Sequence, residues 1–275
     1  MKGILLSISY VVFNPDYRMV KESLASLLQS VRILSGTSKI KITIIDNGPY
    51  GNSDEVINGL SSWLLDHQND LEFKVFSGHG NVGYGAGHNL ALNEINSDFH
   101  LILNPDAFLD EDAFAVGIKY LVEHPDVAMV VPQVFEESGG MQYTAKRYPS
   151  LFILFLRGFF PIWAQRLFRK KLDHYELRDK IPATDPVDID IASGCFMLAR
   201  TSVLKEVGGF DESFFMYFED FDLSLRLREK YRIVYLPDMK IIHLGGNAAK
   251  KGFKHIKYFC TSAFKFFNKH GWKWV

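Results

Sequence analysis

The feature that most constrains the fold is the alternation of apolar runs and helix-like segments along the first 135 residues. Five short apolar runs are typical of strands, and they cover residues 4–13, 41–45, 72–76, 99–103 and 127–131. Four segments between them have the character of helices, at residues 19–34, 55–65, 86–95 and 112–123. This alternation favours right-handed βαβ crossovers and a mainly parallel sheet.

The second half of the chain continues with shorter elements. Strands are predicted at residues 187–191, 193–199, 233–236 and 240–243, and helices at 202–207 and 219–230. We therefore divide the chain into a ligand-binding half (1–135), a second half of the same domain (136–248, with an aromatic segment at 151–171) and a terminal helix (249–275).

Three candidate binding elements follow predicted strands of the first half. Asp46 ends the second strand, a glycine-rich loop occupies residues 78–87, and Asp106 follows the fourth strand. Because ligands bind at the carboxyl ends of strands in such sheets, these elements are expected to meet at one edge.

Composition excludes several classes of protein. Hydrophobic residues make up 47% and charged residues 23% of the 275 residues, an ordinary globular balance. The net charge of -1 argues against a nucleic-acid partner for the chain as a whole. Two cysteines, Cys195 and Cys260, are too few for a disulfide scaffold and do not form a Cys-x-x-Cys pair, which excludes a zinc ribbon.

No apolar stretch reaches the roughly 20 uninterrupted residues that a spanning helix needs. Residues 1–13 resemble a secretion signal only faintly, because Ser7 and Ser9 interrupt them and Asn14-Pro15 follows. We interpret them as a buried first strand and expect a cytoplasmic protein.

Two segments suggest contact with an anionic membrane. Residues 244–275 contain seven lysines and no acid, and a helical projection separates six of these lysines from a phenylalanine-rich face. The aromatic segment 152–163 precedes Arg166, Arg169, Lys170 and Lys171. The alternative for residues 244–275 is a helix docked on the domain with its lysines in solvent. The alternative for the aromatic segment is a pair of core helices.

Several polar groups have the chemistry of a site. The loop Asn81-Val-Gly-Tyr-Gly-Ala-Gly-His-Asn89 opens a helix, where glycines let backbone N–H groups approach a phosphate. Asp106 of Asn104-Pro-Asp106 is placed to hold Mg²⁺ or Mn²⁺, unless the turn only starts a helix. Glu219, Asp220 and Asp222 either include a general base, pair with Arg226 or Arg228, or only charge a helix start. His243, beside two glycines, is a metal ligand only if it faces Asp106.

The order of these motifs resembles the inverting glycosyltransferases of family 2, with the GT-A fold, and most of all their rhamnosyltransferase-like members of bacterial surface-polysaccharide assembly. The resemblance is collinear over about residues 4–270. Its most specific part is the phenylalanine-rich segment Phe214-Phe-Met-Tyr-Phe-Glu-Asp-Phe-Asp-Leu223 after Asn104-Pro-Asp106; Ser193-Gly-Cys-Phe-Met197 and His243-Leu-Gly-Gly246 also contribute. It implies a Rossmann-like central sheet with an acceptor-side region near the C-terminus.

The resemblance also implies roles. The nucleotide-sugar would be bound by Phe13, Asn14, Asp46, Asn81, Gly83, Gly87, Asn89 and Asp106. Asp106 and His243 would hold Mg²⁺ or Mn²⁺, and Asp220 would act as the catalytic base. Asn104 replaces the first acid of the family's Asp-x-Asp motif, and a site with one carboxylate binds a metal ion more weakly than a site with two.

The resemblance implies transfer of a sugar, with rhamnose from dTDP-rhamnose favoured, to a lipid-linked glycan at the inner face of the plasma membrane. The product would be an O-antigen or capsule type of polysaccharide. UDP-galactose, UDP-GlcNAc or a GDP-sugar is an alternative donor. A nucleotidyltransferase and a non-catalytic nucleotide-sugar-binding scaffold are rival functions. Acceptor sugar, linkage and oligomeric state stay open.

Overall fold

A computed structural model describes residues 4–34, 37–49, 51–65, 71–181, 183–245 and 252–275. The strands are β1 (Ile4–Val12), β2 (Thr37–Asp46), β3 (Leu71–Phe76), β4 (Phe99–Leu103), β5 (Ala107–Leu109), β6 (Val127–Phe135), β7 (Met141–Gln142), β8 (Val187–Asp188), β9 (Phe196–Arg200) and β10 (Arg232–His243). The helices are α1 (Tyr17–Arg32), α2 (Asp54–Leu65), α3 (Tyr84–Leu92), α4 (Ala113–Glu123), α5 (Leu151–Phe159), α6 (Ile162–Leu167), α7 (Arg169–Tyr175), α8 (Thr201–Glu206), α9 (Glu219–Arg228) and α10 (Phe253–His270).

The strands form one sheet in the order β3-β2-β1-β4-β9-β6-β10-β5, with β7 beside β6 and β8 beside β10. β1, β2, β3 and β4 pair in parallel, and β6 pairs in parallel with β10. β9 runs antiparallel between β4 and β6, so six strands point the same way. The expected α/β fold with a mainly parallel sheet is confirmed.

Each face of the sheet carries its own apolar core. Leu6, Ile8 and Tyr10 alternate along β1 and pack with α1, α2 and α4 on one face. Ile102 and Met129 point to the other face, toward the start of α8 and the body of α9. Burial on both sides explains why the central strands appear in the sequence as continuous apolar runs.

Several element boundaries differ from the sequence prediction. The two strands predicted at 233–236 and 240–243 are one strand, β10, whose pairing with β6 shifts register between Leu236 and Lys240. Only Val187–Asp188 of the strand predicted at 187–191 is a strand, although Ile191 bridges to Lys146. The short strands β5 and β7 were not predicted, because two or three residues show no periodicity.

The aromatic segment forms α5, α6 and α7 around one buried face. Ile153, Leu154 and Leu156 are buried. The other face exposes large apolar side chains: Phe155, Phe160, Trp163, Leu167 and Phe168. Arg166, Arg169, Lys170 and Lys171 are exposed on the same stretch. The core-helix alternative therefore applies to one face of the segment only.

The terminal helix α10 is docked on the domain. Ala263, Phe266 and Phe267 are buried against a cluster that includes Phe214 and Phe218. Lys250 and Lys251 lie outside the described residues, and Lys265 and Lys269 bind protein groups rather than solvent alone. The alternative of a docked helix is thus correct for the face of α10 that carries Ala263, Phe266 and Phe267. Among the described helices, none combines the length and apolar character needed to cross a membrane.

Candidate active site

The ends of β1 and β2 bring together three predicted nucleotide-binding residues. Val12 pairs with Asp46, so Phe13 and Asn14 lie beside the end of β2. The Phe13 side chain is 55% exposed, an unusual position for a phenylalanine next to a buried strand. Asp46 is buried, and its Oδ1 accepts hydrogen bonds from the Gly48 N–H (2.8 Å) and from Ser53 Oγ (3.2 Å). An aromatic ring and a fixed carboxylate suit a base and a ribose.

Asn47, which the sequence reasoning did not place in the site, ties this corner to the glycine-rich loop. Its N–H donates to Val12 O (2.9 Å), and its Nδ2 donates to Gly83 O (2.8 Å). Its Oδ1 lies 3.0 Å from Nε2 of His79. Asn47 therefore fixes the loop against the first two strands, and its place after Asp46 in the turn was the available signal.

The glycine-rich loop packs tightly against the segment that leads to α9. Gly83 has a φ of 98°, and a Cβ there would lie 2.3 Å from Phe215 O. The next N–H, of Tyr84, donates to that same oxygen (3.2 Å). Asn81 Oδ1 accepts the Gly83 N–H (3.1 Å), and a Cβ on Gly87 would meet Val11 at 2.8 Å. These glycines and Asn81 shape the loop, whatever it binds.

Asn89 lies deeper in the protein. Its Nδ2 donates to Phe210 O and to Glu212 Oε1, both at 2.9 Å, and its Oδ1 accepts the Phe210 N–H at 2.9 Å. The side chain therefore fastens α3 to the loop before α9. Its predicted contact with the nucleotide-sugar stays a prediction.

Asp106 and His243 face each other at the end of the sheet. β5 pairs with β10 so that Ala107 is opposite His243, and Nε2 of His243 lies 3.3 Å from Oδ1 of Asp106. Burial opposes ionisation of Asp106, but hydrogen bonds with His243 and Gly245 outweigh it and lower the pKa of the carboxyl. Nδ2 of Asn104 lies 3.2 Å from the same Nε2.

Gln142 of β7 holds His243 from the opposite side. Its Nε2 donates to His243 O (2.7 Å), so its Oε1 is the atom 3.2 Å from Nδ1 of the imidazole. An amide oxygen only accepts, so Nδ1 carries a hydrogen, and Nε2 is the ring atom that faces Asp106. A proton on Nε2 makes the hydrogen bond to Asp106, and without that proton the lone pair of Nε2 and the Asp106 carboxylate are both available to a metal cation.

These side chains fit a divalent cation. A carboxylate, an imidazole nitrogen and the oxygen that the Asn104 amide presents after rotation are ligands that Mn²⁺ or Mg²⁺ accepts, with diphosphate and water completing the shell. Within the described part of the chain, no three His, Cys, Asp or Glu side chains form a metal cluster. A cation at this position would thus depend on its substrate for further ligands.

Asp220 opens α9 and is held by backbone N–H groups. Gly194 N–H donates to Oδ2 (3.0 Å) and Phe221 N–H to Oδ1 (3.0 Å). Burial raises the pKa of Asp220 to about 6 despite these hydrogen bonds. Burial and the neighbouring Asp220 raise the pKa of Glu219 well above its usual value, and Glu219 Oε2 has no partner among the described residues. A carboxyl with a pKa near 6 is suited to a general base.

The sheet brings Asp106 and Asp220 to one edge. Leu103 pairs with Phe196, and the Asn104 N–H donates to Cys195 O (3.0 Å), one residue after the Gly194 that binds Asp220. Burial raises the pKa of the Cys195 thiol to about 12, and the charges of Asp106 and Asp220 both add to the shift. The charges of the two carboxyls thus both act on the buried Cys195 side chain.

Tyr84 joins the glycine-rich loop to this centre. Its hydroxyl donates to Gly194 O (2.6 Å), and burial followed by the charges of Cys195, Glu219, Asp220 and Asp106 raises the pKa of the phenol. The structure therefore gathers the loop, the Asn104–Asp106 turn and the start of α9 around Tyr84 and Cys195.

Asp222 has a different task from Asp220. It is buried and contacts Nε of Arg226 (2.8 Å), Nζ of Lys269 (2.7 Å) and Nε2 of His270 (2.7 Å). The acid therefore anchors the end of α10 to α9, as the ion-pair alternative for this acidic group predicted. Tyr217 and Phe218, just before α9, have φ values of 69° and 66°, a strained conformation that the packed α10 supports.

The sequence of this chain is similar to a known family and to characterised relatives. The family model "Glycosyl transferase family 2" matches residues 7–208. The rhamnosyltransferase WbbL of Escherichia coli is 28% identical over 201 residues, 68% of this chain and 70% of that protein. The N-acetylglucosaminyl-diphospho-decaprenol L-rhamnosyltransferase of Mycobacterium tuberculosis is 27% identical over 180 residues, 59% of this chain and 56% of that protein.

Solved structures share the fold at low sequence identity. GalNAc-T7 with UDP, GalNAc and Mn²⁺ aligns with a TM-score of 0.67 at 13% identity, over 91% of this chain and 45% of that one. The mannosyltransferase of Pyrobaculum calidifontis with GDP-Man and Mn²⁺ aligns with a TM-score of 0.61 at 17% identity, over 98% and 64%. The chain belongs to glycosyl transferase family 2 and is a glycosyltransferase with the GT-A fold.

Proposed function

We propose that this enzyme transfers rhamnose from dTDP-rhamnose, with inversion, to a hydroxyl of a lipid-linked glycan in the synthesis of an O-antigen or capsule type of polysaccharide. The names of the relatives from E. coli and M. tuberculosis support rhamnosyl transfer in polysaccharide synthesis. The diphospho-decaprenol in the second name supports an acceptor on a lipid diphosphate.

Asp220 serves as the general base in this proposal. Its carboxylate accepts the proton of the acceptor hydroxyl while that oxygen forms a bond to the anomeric carbon of the donor. The bond between this carbon and the diphosphate oxygen breaks, and the nucleoside diphosphate leaves from the opposite face. Attack and departure on opposite faces invert the configuration.

The observation that carries the proposal is that Asp106 and Asp220 lie at one sheet edge, where the charges of both raise the pKa of the Cys195 thiol. Asp106 and His243, with Asn104 beside them, would hold a divalent cation that offsets charge on the leaving diphosphate. In this proposal Phe13, Asn14 and Asp46 bind the base and ribose, and the loop from Asn81 to Gly87 lies beside the nucleotide-sugar.

A peripheral position on the inner, anionic face of the plasma membrane completes the proposal. The exposed apolar side chains of α5 and α6 and the cations that follow them form a surface that we call the aromatic-basic surface. Its members are Phe155, Phe160, Trp163, Arg166, Leu167, Phe168, Arg169, Lys170 and Lys171. Trp272 and Trp274 are also exposed, and the Lys273 and Trp274 carbonyls accept hydrogen bonds from the start of α5. Such a surface suits an acceptor embedded in lipid.

The donor is tested by a panel of nucleotide-sugars. Purified enzyme with Mn²⁺ is incubated with dTDP-rhamnose, UDP-galactose, UDP-GlcNAc or a GDP-sugar, and slow hydrolysis without acceptor is measured together with the melting temperature. Hydrolysis and stabilisation are expected with dTDP-rhamnose above the others. Preference for another sugar contradicts the donor, and stabilisation without any hydrolysis or transfer favours the scaffold alternative.

A further inference from the structure

A cluster of cations beside the catalytic edge has no role in the chemistry described above. Glu176, just after α7, is contacted by Lys146 Nζ (3.7 Å), Arg157 Nη2 (3.5 Å) and Arg178 Nε (2.7 Å). Arg178 also contacts Asp173 (3.4 Å), which in turn contacts Arg169 (3.3 Å). Four cations therefore share two carboxylates, and a surplus of two positive charges remains when Lys146 is protonated.

One of these four cations, Lys146, is nearly buried. The Lys146 side chain is only 10% exposed, and its Nζ donates to Tyr143 O. Burial and the neighbouring Arg157 lower the pKa of Lys146 to about 7, although Glu176 acts in the opposite direction. Repulsion between cations that a single carboxylate does not satisfy is relieved by a further anion.

The cluster adjoins Asp220. The Tyr175 ring lies 5.6 Å from Lys146 Nζ and 5.5 Å from the Arg157 guanidinium. Burial raises the pKa of the Tyr175 hydroxyl to about 12, Arg157 opposes the shift, and the charge of Asp220 adds to it. The backbone of Lys146 also pairs with Ile191, three residues before the Gly194 that binds Asp220.

The cluster also adjoins the aromatic-basic surface. Arg169, a member of that surface, contacts Asp173, which Arg178 of the cluster also contacts. The side chain of Arg157, on α5, is 42% exposed. An anion bound by Arg157 would therefore be close both to the general base and to the surface proposed to contact lipid. In an acceptor with a single sugar on the lipid, as in the name of the M. tuberculosis relative, the diphosphate would have this position, since it joins the reacting sugar to the prenyl chain.

We propose that Lys146, Arg157 and Arg178 bind the diphosphate of the lipid-linked acceptor. This inference rests on the proposed function for the identity of the ligand. The two arginines donate charge-assisted hydrogen bonds to phosphate oxygens, and the nearly buried Lys146 contributes a third positive charge. The site fixes the distance between the membrane and the sugar, so the acceptor hydroxyl reaches Asp220 in one orientation.

The test uses geranyl diphosphate, which carries the diphosphate and a short prenyl chain but no sugar. Its binding to the full chain is measured by calorimetry with EDTA and without nucleotide, vesicles or detergent. Arg157→Gln and Lys146→Met are expected to weaken binding about tenfold each. The control Arg32→Gln removes an exposed arginine at the end of α1 and is expected to leave binding unchanged.

Further measurements separate the contributions of the diphosphate, the prenyl chain and the donor side to binding. Geraniol is expected not to bind, and inorganic pyrophosphate to bind more weakly than geranyl diphosphate but with the same sensitivity to Arg157→Gln. Asp106→Ala is expected to leave binding unchanged, because the donor side is not involved. Equal binding by wild type, Arg157→Gln and Lys146→Met overturns the proposal, as does loss of binding in Asp106→Ala. Pyrophosphate binding as tight as that of geranyl diphosphate overturns the assignment to a lipid.

Melting curves show whether Lys146→Met folds. If it does not, Arg157→Gln alone tests the site, because the partly exposed Arg157 is less important for folding. Binding is measured without turnover, so its result does not depend on whether the enzyme transfers rhamnose. A chain that binds geranyl diphosphate through Arg157 but transfers no sugar contradicts the proposed function alone. Transfer without this binding contradicts the diphosphate site alone.

Discussion

The Gly194 N–H donates a hydrogen bond to Oδ2 of Asp220 over 3.0 Å. Gly194 directly precedes Cys195, whose carbonyl accepts the Asn104 N–H. One short segment therefore connects the carboxyl proposed as the base to the turn that carries the proposed metal ligand. This connection holds Asp220 and the Asn104–Asp106 turn at one edge of the sheet.

The first prediction concerns pH. Burial raises the pKa of Asp220 from 3.8 to about 6, and a base acts only when it is ionised. Turnover is therefore expected to be full above about pH 7 and to fall about tenfold per unit below pH 6. Because Glu219 is a buried neighbour, the apparent pKa belongs to the pair. A rate that is constant from pH 5 to 8 contradicts the assignment.

The same shift predicts the stability of a variant. The pKa of Asp220 is higher in the folded than in the unfolded protein, so its ionisation destabilises the fold as pH rises through the interval between about 4 and 6. Asp220→Asn removes this ionisation, but its amide nitrogen cannot accept one of the two backbone N–H hydrogen bonds. The melting temperature of the variant relative to wild type is therefore expected to rise from pH 4 to pH 7.5, and a constant difference would contradict the raised pKa.

The second prediction concerns His243. Gln142 holds His243 through two hydrogen bonds, one to Nδ1 of the ring and one to the backbone carbonyl. Loss of such a partner typically lowers metal affinity 10- to 100-fold, by about 1.4 to 2.7 kcal/mol. Gln142→Ala is expected to weaken Mn²⁺ binding in the presence of nucleoside diphosphate about tenfold, as measured by electron paramagnetic resonance. The control is Gln133→Ala on β6, whose Nε2 lies 4.0 Å from Met141 Sδ. Equal affinity in both variants contradicts the role of Gln142.

The third prediction compares two glycines with positive φ. A Cβ at Gly83 (φ 98°) would lie 2.3 Å from Phe215 O, whereas a Cβ at Gly80 (φ 70°) has nothing within 4 Å. Gly80→Ala is expected to cost about 1 kcal/mol of stability through its backbone alone. Gly83→Ala adds a clash with the segment before Asp220 and is expected to cost about 3 kcal/mol or more.

Urea denaturation and turnover check this pair. A large loss of activity in Gly83→Ala, with Gly80→Ala close to wild type, is the expected result. Equal losses of stability and activity in the two variants would contradict the close contact of Gly83 with Phe215, in the segment before α9.

The fourth prediction concerns the membrane. The chain is expected to bind vesicles rich in phosphatidylglycerol, and binding should weaken as salt shortens the range of the attraction. Leu167→Ser removes an apolar side chain that is 75% exposed on the aromatic-basic surface. It is expected to weaken binding about tenfold, since burial of such a side chain contributes about 1.5 kcal/mol or more.

The matched control is Leu65→Ser, because Leu65 is 76% exposed at the end of α2 and lies outside that surface. Vesicle flotation separates the outcomes. No binding at low salt, or the same loss in both serine variants, contradicts a membrane role for the aromatic-basic surface.

The sequence predicts the sheet edge well because central parallel strands are buried on both faces. Asp46 is the last residue of β2, and Asp106 lies three residues after the end of β4. The ends of these apolar runs therefore place both carboxyls at one edge from pattern alone. Gln142 could not be found in this way, since β7 has only two residues and gives no periodic signal.

The terminal helix shows a second limit. The apolar stripe that includes Phe266 and Phe267 would be equally amphipathic on a membrane or on a protein surface. A long-range contact determines that the helix packs on the protein. Asp222 on α9 binds Lys269 and His270, which follow it by 47 and 48 residues in the chain. Such pairings between distant residues follow from the fold and not from local pattern.

The most direct test of the central claim is the transfer activity of Asp220→Asn, with the anomeric configuration of the wild-type product followed by NMR. The account predicts an inverted product and at least a hundredfold lower turnover in a variant that is folded and still binds nucleotide-sugar, the size expected for loss of a general base. Full turnover by the folded variant, or a product with retained configuration, would contradict it.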